Sequence, residues 1–156
     1  MAKVIGASIV KASKEHLQIV NDIIVAAKSH WEYPASYLKA ALELLKIDEN
    51  YILENPSFEI LLDNRIVGFI SVTEKDGDKY LDNLWIHPKV HGTGLGRLAC
   101  ETIFKVANHQ KWPKLLVLPD PQAIGFYKKL GFKETGVEIP SRVKDGPIFL
   151  LMGIHF

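Results

Sequence analysis

Residues 84–97 read Leu84-Trp85-Ile86-His87-Pro88-Lys89-Val90-His91-Gly92-Thr93-Gly94-Leu95-Gly96-Arg97. An apolar run suited to a strand gives way to a proline and then to three glycines in five residues. A helical repeat follows at Leu95, Leu98, Ala99, Thr102, Ile103 and Val106. Glycines let the chain turn tightly and bring its own N–H groups close to a ligand. The first turn of the helix adds unpaired N–H donors and the positive end of a dipole. Strand, glycine loop and helix start therefore form a cradle for a phosphate or pyrophosphate. Each hydrogen bond to a charged oxygen there contributes about 1.5–3 kcal/mol.

Two other phosphate loops are excluded by spacing. No window supplies the Gly-x-x-x-x-Gly-Lys-Ser/Thr of a P-loop. Gly94-Leu95-Gly96-Arg97-Leu98-Ala99 does fit a dinucleotide fingerprint, but that turn follows its strand directly, and here Pro88 and other residues intervene. The acid expected about 20 residues on is absent, the chain there reading Lys114-Leu115.

Working outward, residues 4–10 suit a buried strand between lysines rather than a signal-peptide core. Ser13 is placed to cap a helix over residues 14–29, striped by Leu17, Val20, Ile23, Ile24 and Ala27. A second helix carries Leu38, Ala41, Leu42 and Leu45. Residues 58–62, 66–73 and 79–86 then alternate with Asp63-Asn64 and Asp76-Gly77, which is hairpin chemistry and predicts an antiparallel meander. Beyond the helix that starts at Leu95, residues 115–118 form a strand. Asp120 stands as a helix cap before Pro121, and Gly131 closes that helix. Residues 132–137 and 148–156 make two last strands. The predicted order is β-α-α-β-β-β-α-β-α-β-β, with four helices.

The 156 residues suit one domain, 1–156, with a sizeable core. A net charge of +1 gives no surplus for a nucleic-acid partner, and no run approaches a membrane span. The single Cys100 suits a reducing compartment, so a cytoplasmic location is expected, and among apolar helix positions it reads as a packed thiol. His87 and His91 flank Pro88, and no His-Glu-x-x-His occurs, so no metal is expected.

The stretch from Leu84 to Arg97 resembles the acetyl-CoA-binding motif of the GNAT superfamily of N-acetyltransferases, which runs Val/Ile-x-Pro and then Arg/Gln-x-x-Gly-x-Gly/Ala. A second signature of that family is matched by Ala123-Ile124-Gly125-Phe126-Tyr127-Lys128-Lys129-Leu130-Gly131-Phe132. The resemblance covers nearly the whole chain. It implies an α/β (α+β) fold with a mixed, mostly antiparallel sheet of about seven strands. It also implies acetyl-CoA as co-substrate, direct transfer to an amine in a ternary complex, and a possible homodimer. Two departures stand out: His91 replaces the usual Arg or Gln, and Asp120 replaces a frequent Asn.

On that resemblance, Gly92, Thr93, Gly94, Leu95, Gly96 and Arg97 are expected around the cofactor phosphates, with His91 beside them. Leu84, Trp85 and Ile86 would offer backbone to the pantetheine arm, and Asp120 and Lys129 would add side-chain contacts. Tyr127 is the expected acid for the departing thiolate. Asp82, in Tyr80-Leu81-Asp82-Asn83-Leu84, matches a glutamate of the spermidine/spermine acetyltransferases and is the expected base; strand parity puts Asn83 with Leu81 and Trp85 unless a bulge intervenes. Trp31, Glu32 and Tyr33, with Asn83, are the expected acceptor residues. Near-neutral charge and the polyamine resemblance suggest a small-molecule primary amine. The alternatives are a peptide or protein amine, or an acyl-CoA-binding sensor with little catalysis.

Overall fold

The computed structural model describes residues 3–156; Met1 and Ala2, which precede the expected first strand, lie outside the described residues. The meander is present as β2 (Ser57–Leu62), β3 (Arg65–Lys75) and β4 (Asp78–Ile86). Its two-residue turns place Asp63 and Asn64 at φ 50° and 64°, and Asp76 and Gly77 at 52° and 83°. Positive φ at both central residues is the hairpin geometry that matches strand twist. β1 (Ala7–Lys11) pairs antiparallel with β2. It starts three residues later than residues 4–10 imply, because Gly6 turns at φ 79° and its carbonyl accepts from Asp63 N–H. With β5 (Lys114–Val117), β6 (Lys133–Pro140) and β7 (Ile148–His155) the sheet has seven strands in the order β1-β2-β3-β4-β5-β7-β6. Every pairing is antiparallel except β4 with β5.

Among the described residues there are five α-helices where four were expected: α1 (Leu17–Ser29), α2 (Ala35–Leu45), α3 (Glu49–Glu54), α4 (Leu95–Gln110) and α5 (Ile124–Lys129). The additional one, α3, is six residues long and thus too short to display a hydrophobic period; Asp48 caps it by accepting from Tyr51 N–H at 2.8 Å. Ser13 does cap, accepting from Glu15 N–H, but what it caps is a 3-10 turn over Lys14–His16 that precedes α1. Neighbouring residues of β3 face opposite ways. Ile70 joins Ile60, Leu95, Ile103, Leu115 and Met152 under α4, while Phe69 packs with Val20, Ile24 and Ile47 under α1.

The sheet opens at its centre. β4 stays paired with β3 as far as Ile86 opposite Gly68, but with β5 it pairs only at Tyr80 and Leu81. Beyond Leu81 the two strands part, leaving one backbone edge of residues 82–86 unpaired. On the other edge, Val72 pairs with Leu81 and Ser71 with Asn83, so Asp82 is the extra residue of a β-bulge. The bulge corrects simple parity. Leu81 joins the α4-side core, while Asn83 shares the α1 side with Trp85.

Gly68 guards this opening. A Cβ there would lie 2.7 Å from the Trp85 carbonyl oxygen and 2.9 Å from the Ile86 side chain. Gly68→Ala therefore overpacks the end of β4 and lowers stability by about 1–3 kcal/mol, read as a lower urea midpoint at unchanged slope. An unchanged midpoint would mean that β3 and β4 have room to separate.

Candidate active site

The parted strands, the start of α4 and the facing ends of α1 and α5 enclose a cleft of about 850 Å³. Sixteen of the eighteen residues expected at the site line it: Trp31, Asp82, Asn83, Leu84, Trp85, Ile86, His91, Gly92, Thr93, Gly94, Leu95, Gly96, Arg97, Asp120, Tyr127 and Lys129. Glu32 and Tyr33 are not among the lining residues. Glu32 is exposed, and Tyr33 donates instead to Asp120 and Gln122, at 3.0 and 3.1 Å.

The cradle is built as the glycines suggest. Gly92 and Gly94 stand at φ 78° and 86°, and a Cβ on Gly92 would meet nothing within 4 Å. Gly94 is the helix cap and has no side chain to satisfy the first amides of α4; the first intrahelical bond comes from Leu98 N–H at 3.0 Å. Donors of this kind at an open helix start fit a pyrophosphate. Gly96 serves packing, since a Cβ there would sit 3.2 Å from the Phe126 ring. Thr93 turns its hydroxyl inward, onto the Val90 carbonyl at 2.7 Å, and Arg97 is tied along the helix to Glu101 at 3.0 Å. Lys129 is exposed on the rim. His91 places Nε2 2.9 Å from the Ile86 carbonyl oxygen and lies nearly parallel to Trp31, with His30 edge-on. Its ring ties the loop to the end of β4, where a guanidinium would carry a fixed charge.

On α5, Tyr127 is buried between Phe126 and Phe132, and burial pushes its hydroxyl well above the ordinary tyrosine range. It is therefore a proton carrier at neutral pH. Among the described residues no hydrogen bond reaches its hydroxyl, and the residue lines the cleft. Asp82 is exposed on the opposite wall and accepts from the Tyr51 hydroxyl. That hydroxyl also meets Ser71 Oγ at 2.8 Å and Asn83 Nδ2 at 3.0 Å. Asn83 spends its amide on this network, its oxygen accepting from Trp85 Nε1 at 2.8 Å, so it positions neighbours rather than offering a free contact.

Two residues on the cleft wall were not anticipated. Tyr51 belongs to the short α3, which lacks a readable period. Lys28 is written into the α1 repeat as the polar residue after Ala27, yet its side chain is 4% exposed. Its ammonium lies 2.7 Å from Asp120 Oδ1 and over the rings of Tyr33 and Tyr37. Asp120 was expected to cap a helix and touch the cofactor; the 3-10 turn after it receives no side-chain cap, because the carboxylate is turned to Lys28 and Tyr33. Cys100 lies under the cleft, fully buried, with its thiol pushed up to about 12 by burial, which makes it inert as a nucleophile at neutral pH. Among the described residues no group of three or more His, Cys, Asp or Glu could hold a metal ion, and no helix is long and apolar enough to cross a membrane.

Comparison with known proteins places this geometry among relatives. Peptidyl-lysine N-acetyltransferase YjaB of Salmonella typhimurium is 34% identical over 115 residues, 70% of this chain and 73% of that one. The solution structure of apo YjaB from Escherichia coli superposes with a TM-score of 0.74 at 25% identity, covering 94% of this chain and 96% of that one. PaiA N-acetyltransferase from Thermoplasma acidophilum, crystallised with coenzyme A, superposes with a TM-score of 0.81 at 16% identity over 96% of this chain and 99% of its own. The model of the acetyltransferase (GNAT) family matches residues 22–132, a span running from α1 through the glycine cradle to the Tyr127 helix. With that match over residues 22–132 and the similarity to YjaB, the chain belongs to the acetyltransferase (GNAT) family.

Proposed function

We propose that the chain transfers the acetyl group of acetyl-CoA to a primary amine by direct attack in a ternary complex, with Asp82 as base and Tyr127 as acid. The observation that carries this reading is the pair of groups on opposite walls of one cleft: an exposed carboxylate on the β4 bulge and an unpartnered, protonated tyrosine on α5. The amides at the start of α4 fit the pyrophosphate, and the unpaired edge of residues 82–86 fits the amides of the pantetheine arm. Bound acetyl-CoA supplies a thioester carbonyl open to a nucleophile.

An amine of pKa about 10.4 costs about 4–5 kcal/mol to neutralise at pH 7. Asp82 offsets part of that cost by accepting the ammonium proton, directly or through a water. It is held for the task by a neutral donor, Tyr51, rather than by a cation. Free N–H groups along 82–86 stabilise the oxygen of the carbonyl as it gains charge. Tyr127 then donates its proton to the departing sulfur.

The acceptor class follows less directly. A lysine side chain is favoured by the activity named for YjaB, while near-neutral charge favoured a small amine. Both share the primary amine, and the reading includes a cytoplasmic setting and leaves a homodimer as part of the proposal. Thiol release from acetyl-CoA, screened over polyamines, amino acids and lysine-containing peptides, separates them: turnover confined to peptides supports the lysine acceptor, and turnover confined to polyamines overturns it. No release with any amine would favour an acyl-CoA sensor.

Three variants test the roles. Tyr127→Phe lowers kcat by about 10²–10⁴-fold with coenzyme A affinity retained; unchanged turnover removes Tyr127 as the acid. Asp82→Asn abolishes the low-pH fall in rate that a carboxylate base imposes, so a pH–rate profile identical to the parent's would exclude Asp82. Gly94→Val strains a position at φ 86° and crowds the cradle. Calorimetry should show coenzyme A bound about tenfold or more weakly, the worth of one charged hydrogen bond, and undiminished affinity would move the phosphate site elsewhere.

A further inference from the structure

The ammonium of Lys28 is a charge with few reasons to be buried. It leaves α1 into the cleft wall with its side chain 4% exposed, against an Asp120 carboxylate that is 14% exposed. Tyr33 and Tyr37 lie under the ammonium, and the Tyr33 hydroxyl donates to Asp120, as Lys28 does. Lys28, Asp120 and Tyr127 all line the same cleft.

We propose that Lys28 is a positioning residue whose buried charge cancels that of Asp120, so that the two act as one neutral wall beside the place where the coenzyme A sulfur departs as a thiolate. This rests on the reading of Tyr127 as the acid, since its hydroxyl marks the sulfur's end of the cleft. The chemistry requires it: as the carbon–sulfur bond breaks, its electron pair goes to sulfur before the tyrosine proton arrives. An uncompensated carboxylate on the wall would oppose that negative charge. The same pair ties the end of α1 to the β5–α5 connection.

A merely structural ion pair and a charge-cancelling one make different predictions, and they separate without turnover. The thiol of coenzyme A absorbs in the ultraviolet when ionised, so its ionisation can be followed on the protein, with desulfo-coenzyme A as a blank. Lys28→Met leaves Asp120 alone and shifts ionisation of the bound thiol upward, weakening thiolate binding by about tenfold, one pH unit. Asp120→Asn leaves the cation alone and shifts it downward. The Lys28→Met/Asp120→Asn double variant returns it near the parent, as coupled neighbours should.

The same four proteins are compared by urea denaturation without ligand, where either role destabilises both single variants. Opposite shifts in the two single variants, with recovery in the double, support the proposal. Shifts of the same sign, or none, overturn it even if stability falls. If Lys28→Met does not fold, the downward shift in Asp120→Asn and the return in the double variant decide the matter alone. A parent that binds no coenzyme A overturns the cleft assignment and the proposal together, whereas binding with an unmoved thiol overturns the proposal only.

Discussion

The separation of β4 from β5 is the constraint on which the rest of the molecule turns. Two paired positions, Tyr80 with Leu116 and Leu81 with Val117, hold the sheet together at its middle. Beyond them β4 has no strand partner on that side. A sheet normally satisfies each backbone group by pairing, and an unpaired buried edge is costly. Here the cost is borne because β3 holds β4 from the other side as far as Ile86. Gly68 lets the two strands lie close enough at that end. The opened edge becomes the wall of a ligand cleft, and the loop leaving it runs directly into the cradle. His91 binds the Ile86 carbonyl from that loop, so the end of β4 and the start of α4 move as one piece.

The bulge at Asp82 converts this opening into chemistry. Regular pleating would put Leu81 and Asn83 on one face, and either the core would lose Leu81 or the Tyr51 network would lose Asn83. One inserted residue satisfies both and leaves Asp82 at the cleft, steadied by a tyrosine from a helix far away in sequence. The network of Tyr51, Ser71, Asn83 and Trp85 has donors and acceptors in balance. Such balance is what fixes a side chain's direction in a low-dielectric wall.

Much of this was legible in the chain itself, for identifiable reasons. Turn pairs such as Asp63-Asn64 and Asp76-Gly77 specify hairpins by backbone sterics alone, and all three meander strands fell within three residues of their expected ends. The glycine loop and the helix of Leu95 announce themselves by local spacing, whereas the tyrosine of α5 was singled out only by the family resemblance. What escaped was non-local. Nothing around Lys28 distinguishes it from a solvated helix lysine until Asp120, 92 residues on, is folded against it. Tyr51 needs a six-residue helix with no period, and the bulge depends on how β3 and β4 register. Asp120 illustrates the same limit, because its sequence context reads as a cap while its partner decides otherwise.

The two carboxylates of the cleft show how surroundings divide labour between like groups. Asp82 is exposed and its closest partner is a neutral hydroxyl, so taking up a proton leaves no charge stranded. Asp120 sits against a buried ammonium, and a proton added there would strand Lys28 among two tyrosine rings. Stranding a buried charge is the costlier event. Of the two carboxylates, the one on the β4 wall is therefore the one suited to take up a proton, while Asp120 stays charge-balanced by Lys28. Had Lys28 been a leucine, as the α1 repeat would tolerate, the Asp120 carboxylate would have stood uncompensated in the β5–α5 wall.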